Sequence, residues 1–535
     1  MKYSGLAPVT VLWALPLAAS LVAAAAGPAD WPGLLRHPQL WQGLLLSLWT
    51  GTAGLLLSLA AALAIAAAVH GTALWRRLAS LSGAFLSLPH LAFAIGLAFL
   101  IMPAGFLARV ISGGGAPPQW IATQDPYGLA LIACLALKET PFLIWTIWAL
   151  MARGDVAATL AGQWRSARSL GHGSRSAWLR VLIPQLLPRL VWPLAIVWVY
   201  GASVVDMALV VGPTQPPVLA VIVFADLNDA GQAINARGAA GALFLTLMLA
   251  AIACLVFLAI KLLRPWFRTF LTRGPSPVTL SRAPGMTLLA LFALIYAAVL
   301  SVLAIMSISG QWPFPQLLPE HFKADAWRQL IAAPASALAS LLLALATTAS
   351  ALGLAILWFE TAAESLDRFV SFAAIAALGL PALLIAGGQY RLFLAFGLTG
   401  TATGLYLAHL AFVFAYMFIV LKSPYRAFDP RYRAVALGLN TSHLRFWLRI
   451  KAPLLKPALL AAAAIGFAVS MAQFVPAQLV AAGRYSTLPM EAVTLASGGN
   501  RALTAVFALA LALPPGLAFL AAAWFGRPRW GRSWI

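Results

Sequence analysis

Gly43-Leu-Leu-Leu-Ser-Leu-Trp-Thr-Gly-Thr-Ala-Gly-Leu-Leu-Leu-Ser-Leu-Ala-Ala-Ala-Leu-Ala-Ile-Ala-Ala-Ala-Val69 contains no charged residue. A helix needs about 20 such residues to cross a bilayer. The run is continuous and does not alternate polar with apolar, so it reads as a helix rather than a barrel strand. Comparable runs lie on either side of it. They occur at about 7–26, 79–103, 127–151, 190–212, 240–262, 286–308, 332–359, 369–390, 403–421, 457–480 and 502–525. The composition agrees: of 535 residues 62% are hydrophobic and only 9% charged. Soluble proteins carry about 25% charged residues. A water-facing surface cannot be built from this chain, and its apolar content excludes disorder. The fold class read from the sequence is all-α integral membrane with about twelve transmembrane helices. Cys134 and Cys254 both lie in apolar runs, which argues against a disulfide framework or a cysteine-built metal site.

The net charge is +21. In a soluble protein that excess would suggest nucleic acid; here it reports sidedness. With the N-terminus cytoplasmic, the inside segments hold 26 Lys and Arg and the outside loops hold eight, with Lys138 left inside a span. This split fits the positive-inside rule with both termini cytoplasmic. Glu360, Glu364 and Asp367 fall on the inside against the trend, but acidic residues have little weight in this rule. Lys2 followed by an apolar run and Ala23–Ala26 also has the form of a signal peptide. Removing residues 1–26 would leave eleven spans and break the internal symmetry.

That symmetry is a duplication. Residues 1–262 and 286–535 read as two pseudo-symmetric six-helix halves joined by a Pro-, Gly- and Arg-rich cytoplasmic linker at 263–285. Each half has one large basic loop after its fourth span, at about 152–189 and 422–456. The first contains Ser166-Ala-Arg-Ser-Leu-Gly-His-Gly-Ser-Arg-Ser-Ala-Trp-Leu-Arg-Val-Leu-Ile-Pro184. The second contains Tyr432-Arg-Ala-Val-Ala-Leu-Gly-Leu-Asn440-Thr-Ser-His-Leu-Arg-Phe-Trp-Leu-Arg-Ile-Lys-Ala-Pro453. Both read as a helix, a small-residue break, a basic amphipathic helix and a proline where the chain turns into a span. Beyond the loops, Ser203-Val-Val-Asp206 mirrors Ser470-Met-Ala-Gln473, and Leu88-Pro89 mirrors Leu380-Pro381.

The loop pattern, Ala-x-x-x-Gly, nine residues, then aliphatic-x-aliphatic-Pro, resembles the EAA loop of the membrane subunits of bacterial binding-protein-dependent ABC importers. Ala167, Gly171, Val181, Ile183 and Pro184 occupy its positions, with Leu170 before the glycine. Arg165 and Ser166 stand where the family has Glu and Ala. In the second half two registers are open. Counting back from Pro453 puts Asn440 on the glycine position; matching Leu437-Gly438, with Ala434 upstream, needs two extra residues. The two-copy arrangement resembles fused permeases of the iron, thiamine and phosphonate type. The resemblance implies that the loops couple to two cytoplasmic ATPase subunits, which bind ATP and Mg. It also implies an external solute-binding protein and a small solute moved by alternating access in the bacterial inner membrane. This chain has no G-x-x-x-x-G-K-[ST] and so no nucleotide site of its own. No cofactor, metal, nucleic acid or catalytic residue is expected. A bland alternative for either loop is a basic helix resting on anionic lipid.

Polar residues inside spans are pathway candidates. Each buried charge costs about 2.5–3.5 kcal/mol on insertion scales. Lys138 and Glu139 lie mid-span, His409 sits near the matching place of the second half, and Asp206 and Gln473 occupy matched sites in the fifth spans. Structural hydrogen bonding is the alternative for each. A twelve-span secondary transporter would also place ionisable groups at mid-depth. A membrane-embedded transferase would need carboxylate pairs such as Asp226 and Asp229, or Glu320 and Asp325.

Overall fold

The computed structural model describes residues 6–526 apart from 114, 273, 275 and 280; the side chains of 76, 78–82, 155 and 437 also lie outside the described set. In chain order, α1 is Leu6–Ala26, α2 Leu40–Val69, α3 Ala73–Leu86, α4 His90–Ile101 and α5 Leu129–Ala152. The first basic loop holds α6, Gly154–Ser169, and α7, Ser174–Arg189. Then follow α8 Val191–Ser203, α9 Asp206–Val211, α10 Leu219–Leu227, α11 Gln232–Leu271 and α12 Ala283–Ser307. The remaining chain gives α13 Ala335–Thr361, α14 Glu364–Gly379, α15 Ala382–Ala395 and α16 Ala402–Arg426. It ends with α17 Arg431–Gly438, α18 His443–Ala472, α19 Val475–Ala481, α20 Leu488–Ala496 and α21 Arg501–Phe525. Among the described residues ten helices are long and apolar enough to cross a membrane, or up to twelve when two bent pairs each count as one span.

Packing follows the logic of a lipid solvent. On α2 the buried stripe is Ser47, Gly51, Gly54, Ser58, Ala62 and Ala66, while Leu45, Trp49, Leu56 and Leu57 are exposed. Small residues at this spacing let helix backbones approach closely, and large apolar ones face the acyl chains. At Gly51 an added Cβ would lie 2.6 Å from the backbone nitrogen of Ala202 on α8, so only hydrogen fits.

Two compact units form. One comprises residues 1–28, 87–92 and 323–535; the other comprises 29–86 and 93–322. The spatial units therefore differ from the sequence halves, because the opening helix of each half belongs to the unit built mostly from the other. α1 buries Val9, Trp13 and Leu17 among residues of α13 and α16, and the Trp13 indole donates to Ala411 O at 2.8 Å. α12 lies against α2, where Gly285 touches Ala64 and Ala68.

Segments assigned to one side of the bilayer come together within each unit. Among the inside segments, Trp148 donates to Trp75 O at 3.0 Å, and His70 contacts Trp164 and Trp178. Among the outside ones, Asp30 N reaches Ala236 O at 3.0 Å, Arg109 donates to Pro313 O at 2.8 Å, and Gly400 N reaches Val480 O at 2.8 Å.

The dissenting acidic loop has a local explanation. Asp367 accepts from Arg426 Nε at 2.7 Å and Nη2 at 2.9 Å, and from the Trp358 indole at 2.8 Å. Glu360 pairs with Lys451 at 2.7 Å and accepts from Tyr425. These two carboxylates are partners of basic residues in segments that the charge count groups with them. The outside carboxylates considered for catalysis are also accounted for. Asp226 is held by Arg237 at 2.7 Å through both oxygens, and Asp229 accepts from Gly231 N at 2.7 Å. Glu320 accepts from Gln316 at 3.1 Å and Asp325 from Arg328 at 3.1 Å.

Candidate functional site: matched loops and broken spans

The two basic loops share one backbone design. α6 ends at Ser169, Leu170 follows, and Gly171 takes a left-handed φ of 85°. α17 ends at Gly438, Leu439 follows, and Asn440 takes φ 54°. His172 N then bonds back to Ala167 O at 3.0 Å, and Thr441 N to Ala436 O at 3.0 Å. This is a left-handed helix stop, which glycine and asparagine tolerate best. Ala167 and Ala436 are both buried. Asn440 thus stands in the conformation of Gly171, and each lies thirteen residues before its proline. Ala436, missed by the sequence reading, takes the place of Ala167. Ala434 is exposed and Gly438 is still helical; the side chain of Leu437 lies outside the described residues. The tips carry Leu170 at 70% exposure and Leu439 at 74%.

Beyond each tip the chain is helical again and contains one wide turn. Ile183 N bonds to Trp178 O, and Ala452 N to Trp447 O, both five residues back. Pro184 and Pro453 come directly afterwards. A proline ring clashes with the carbonyl four residues before it and offers no N–H; the wider turn re-registers the ladder there. Contrary to the expectation, the prolines do not mark where the chain turns. In the first half the bend of 69° lies after Arg189, between α7 and α8. In the second half α18 runs straight enough to count as one helix. Val181 lies in the wide turn and Ile183 follows it, both half-buried.

The loops are anchored differently. In the first, His70 at the end of α2 stands edge-on to Trp75, Trp164 and Trp178 at 5.2, 6.1 and 5.6 Å. Burial, with the Arg282 charge added, pushes this imidazole below its ordinary value of 6.5. Its neutral form therefore favours the folded state at pH above 6.5, and that contribution is lost as pH falls through the lowered folded value. Thermal stability should drop below about pH 6.5, and His70→Phe should flatten that drop; an unchanged acid profile would remove His70 from the anchor. In the second loop, Trp447 Nε1 donates to Tyr425 at 2.9 Å, and Lys451 lies over the Tyr425 ring at 4.3 Å while holding Glu360.

The fifth spans are broken. α8 stops at Ser203 and α9 begins at Asp206, with Val204 extended between them. The second half repeats this: Gln473 is extended after α18 and Phe474 precedes α19. Asp206 and Gln473 thus both stand where helical backbone is interrupted. The third spans also break, at their matched Leu-Pro pairs. α14 and α15 meet at 103° around Leu380-Pro381, and Ser87-Leu88-Pro89 separates α3 from α4. The uninterrupted third spans expected at 79–103 and 369–390 are corrected accordingly; X-Pro disfavours helix at the preceding residue.

Around these breaks the candidate residues fall into two groups. In the unit of residues 29–86 and 93–322, Lys138 is 1% exposed, donates to Phe85 O at 3.1 Å and faces the rings of Phe93 and Tyr296 at 5.7 and 5.5 Å. Glu139 is also buried, and α9, which begins at Asp206, packs against α5, which carries Lys138 and Glu139. In the other unit the group is uncharged. His409 Nδ1 and Thr347 Oγ1 each lie 3.0 Å from Ser470 Oγ. Gln473 Nε2 donates to His409 O at 3.1 Å and Gln389 Nε2 to Ala408 O at 3.4 Å. Because the amide nitrogens face carbonyls, the amide oxygens are the free ends. Gln389 Oε1, Gln473 Oε1 and His409 Nε2 are buried without a partner among the described residues. Gln389 was not singled out in the sequence; its signal was a lone amide in the apolar run after Leu380-Pro381.

No family model matches the chain. It is 31% identical over 540 aligned residues, 98% of this chain and 97% of the relative, to the inner membrane ABC transporter permease protein YnjC of Escherichia coli (strain K12). It is also 28% identical over 138 residues, 25% of this chain and 54% of the relative, to the spermidine/putrescine transport system permease protein PotC of Haemophilus influenzae. Likeness along the full length of both chains, on an all-helical multi-span fold, decides against a membrane-embedded transferase and a secondary transporter. The chain belongs to the permease subunits of ABC transporters and is a multi-pass inner-membrane protein.

Proposed function

We propose that the two loops are the contact points for a pair of cytoplasmic ATPase subunits, which bind ATP and Mg, and that both chain termini lie on that side. A solute-binding protein delivers a small solute at the opposite face. The observation that carries the reading is the pair of matched tips: Leu170 and Leu439 are apolar, 70% and 74% exposed, and follow buried Ala167 and Ala436 at equal spacing. Two exposed leucines at the same place in duplicated loops fit a protein cleft better than incidental surface. Gly171 and Asn440 set the tips, and Pro184 and Pro453 follow the wide turn beyond each tip.

The solute path runs by the broken fifth spans. Unwound backbone at mid-depth is where transporters place ligands. In the unit of residues 29–86 and 93–322 the candidates are the charged Lys138, Glu139 and Asp206; in the other unit they are His409 and Gln473, with Gln389. The two orphaned amide oxygens accept hydrogen bonds and suit a donor-bearing solute group.

The test is co-purification of the tagged chain from mild detergent. Wild type should bring down Walker-motif ATPase subunits in stoichiometric amount. Leu170→Asp combined with Leu439→Asp should lose them while the chain stays in the membrane. Retention of the ATPase by that variant would return the loops to the lipid-surface reading.

A further inference from the structure

We propose that the linker is itself part of the first ATPase-docking surface, so that the subunit seated on loop 152–189 also touches Gly274 and residues 276–278. The proposal rests on the docking role given above and adds a partner contact that the duplicated loops alone do not contain.

The linker does not hang free between the halves. From Ala253 to Phe270 every side chain of α11 is exposed, so the helix leaves its bundle before it ends at Leu271. The chain then returns across the first loop. Gly173 N bonds to Ser276 O at 2.7 Å and Arg175 N to Val278 O at 3.3 Å, a two-residue step on both segments. Arg180 donates to Gly274 O at 2.8 Å, and its guanidinium lies 5.5 Å from the Phe270 ring. A side chain at position 173 would collide with Val278 O and the Pro277 carbonyl. That explains a glycine where the second loop has Ser442, whose hydroxyl accepts from Arg445 N at 3.4 Å.

Two features point to a protein partner rather than lipid. The crossing segment presents Gly274, Ser276, Pro277, Val278 and Thr279, all uncharged, and Val278 is 49% exposed. Arg180, which an anionic bilayer would attract, is spent on the linker. The exposed Val278, held through its backbone to Arg175, five residues beyond Leu170, would add apolar surface to the first loop.

The experiment places a photo-crosslinking benzoylphenylalanine at Val278, Leu170 or Leu439 of the full chain, in native membranes containing the cognate ATPase. Adducts with one nucleotide-binding protein are expected from all three positions. In a Gly173→Ala background the Val278 adduct should fall severalfold, because the added methyl lifts the linker, while the Leu439 adduct persists. Adducts from Leu170 and Leu439 but none from Val278, or lipid adducts only at Val278, would overturn the linker contact and leave the docking reading intact. No ATPase adduct from any position would overturn both. An undiminished Val278 adduct in the Gly173→Ala chain would overturn the strap geometry.

Discussion

Asp367→Ala should destabilise the protein by ~3–5 kcal/mol, the usual cost of breaking a buried ion pair from one side. The Asp367 side chain is 2% exposed and takes two donors from Arg426 and one from Trp358. Without it the guanidinium keeps, among the described residues, Phe359 O and Ala362 O, at 3.2 and 3.3 Å. The charge would then be stranded beside apolar rings at the end of α16. Thermal unfolding of the detergent-solubilised chain measures the loss. Adding Arg426→Met to the same chain should recover most of it, because the uncompensated charge goes too. A single variant within ~1 kcal/mol of wild type, the range of exposed ion pairs, would mean that solvent reaches this site.

Trp13→Ala carries the second large effect. The ring is 1% exposed, lies 4.7 Å from Phe414 and donates to Ala411 O. Truncating a buried aromatic to alanine costs ~3–5 kcal/mol. Because Trp13 fixes α1 against α16, the variant should also open the N-terminal helix to protease while residues 29–322 stay resistant. Wild-type stability would show that α1 contributes little to its unit. Trp13→Phe, which keeps most of the volume and loses the N–H, separates packing from the hydrogen bond.

What the sequence makes legible is whatever repeats or runs long. The apolar runs give the spans, the arginines group the segments that meet, and the spacing from Gly171 to Pro184 gives the first loop. The second register stays open in the sequence because Gly438 is the more glycine-like choice by composition. Backbone geometry favours Asn440, since a left-handed φ is a property of a position and not of a residue name. The breaks at Asp206 and Gln473 leave no trace in hydropathy, because two unwound residues do not interrupt an apolar run. Leu-Pro at 88–89 and 380–381 is visible as a match, and its meaning as a helix break follows only from the conformation. Long-range membership is the least legible. Nothing local in residues 6–26 says that their partners begin at residue 323, or that a Pro-rich linker lies on Gly173.

The exchange of opening helices has a consequence for biosynthesis. Trp13 and Ala411 are separated by 398 residues, and chains are made at roughly 5–20 residues per second. The helix at residues 6–26 therefore waits roughly 20–80 seconds in the bilayer before the hydrogen-bond acceptor of Trp13 exists. Throughout that interval the indole and the small face of the helix meet only lipid or insertion machinery. Assembly of this unit is thus ordered by translation: α1 docks only after partners made hundreds of residues later, and slowing the ribosome lengthens its exposure in proportion.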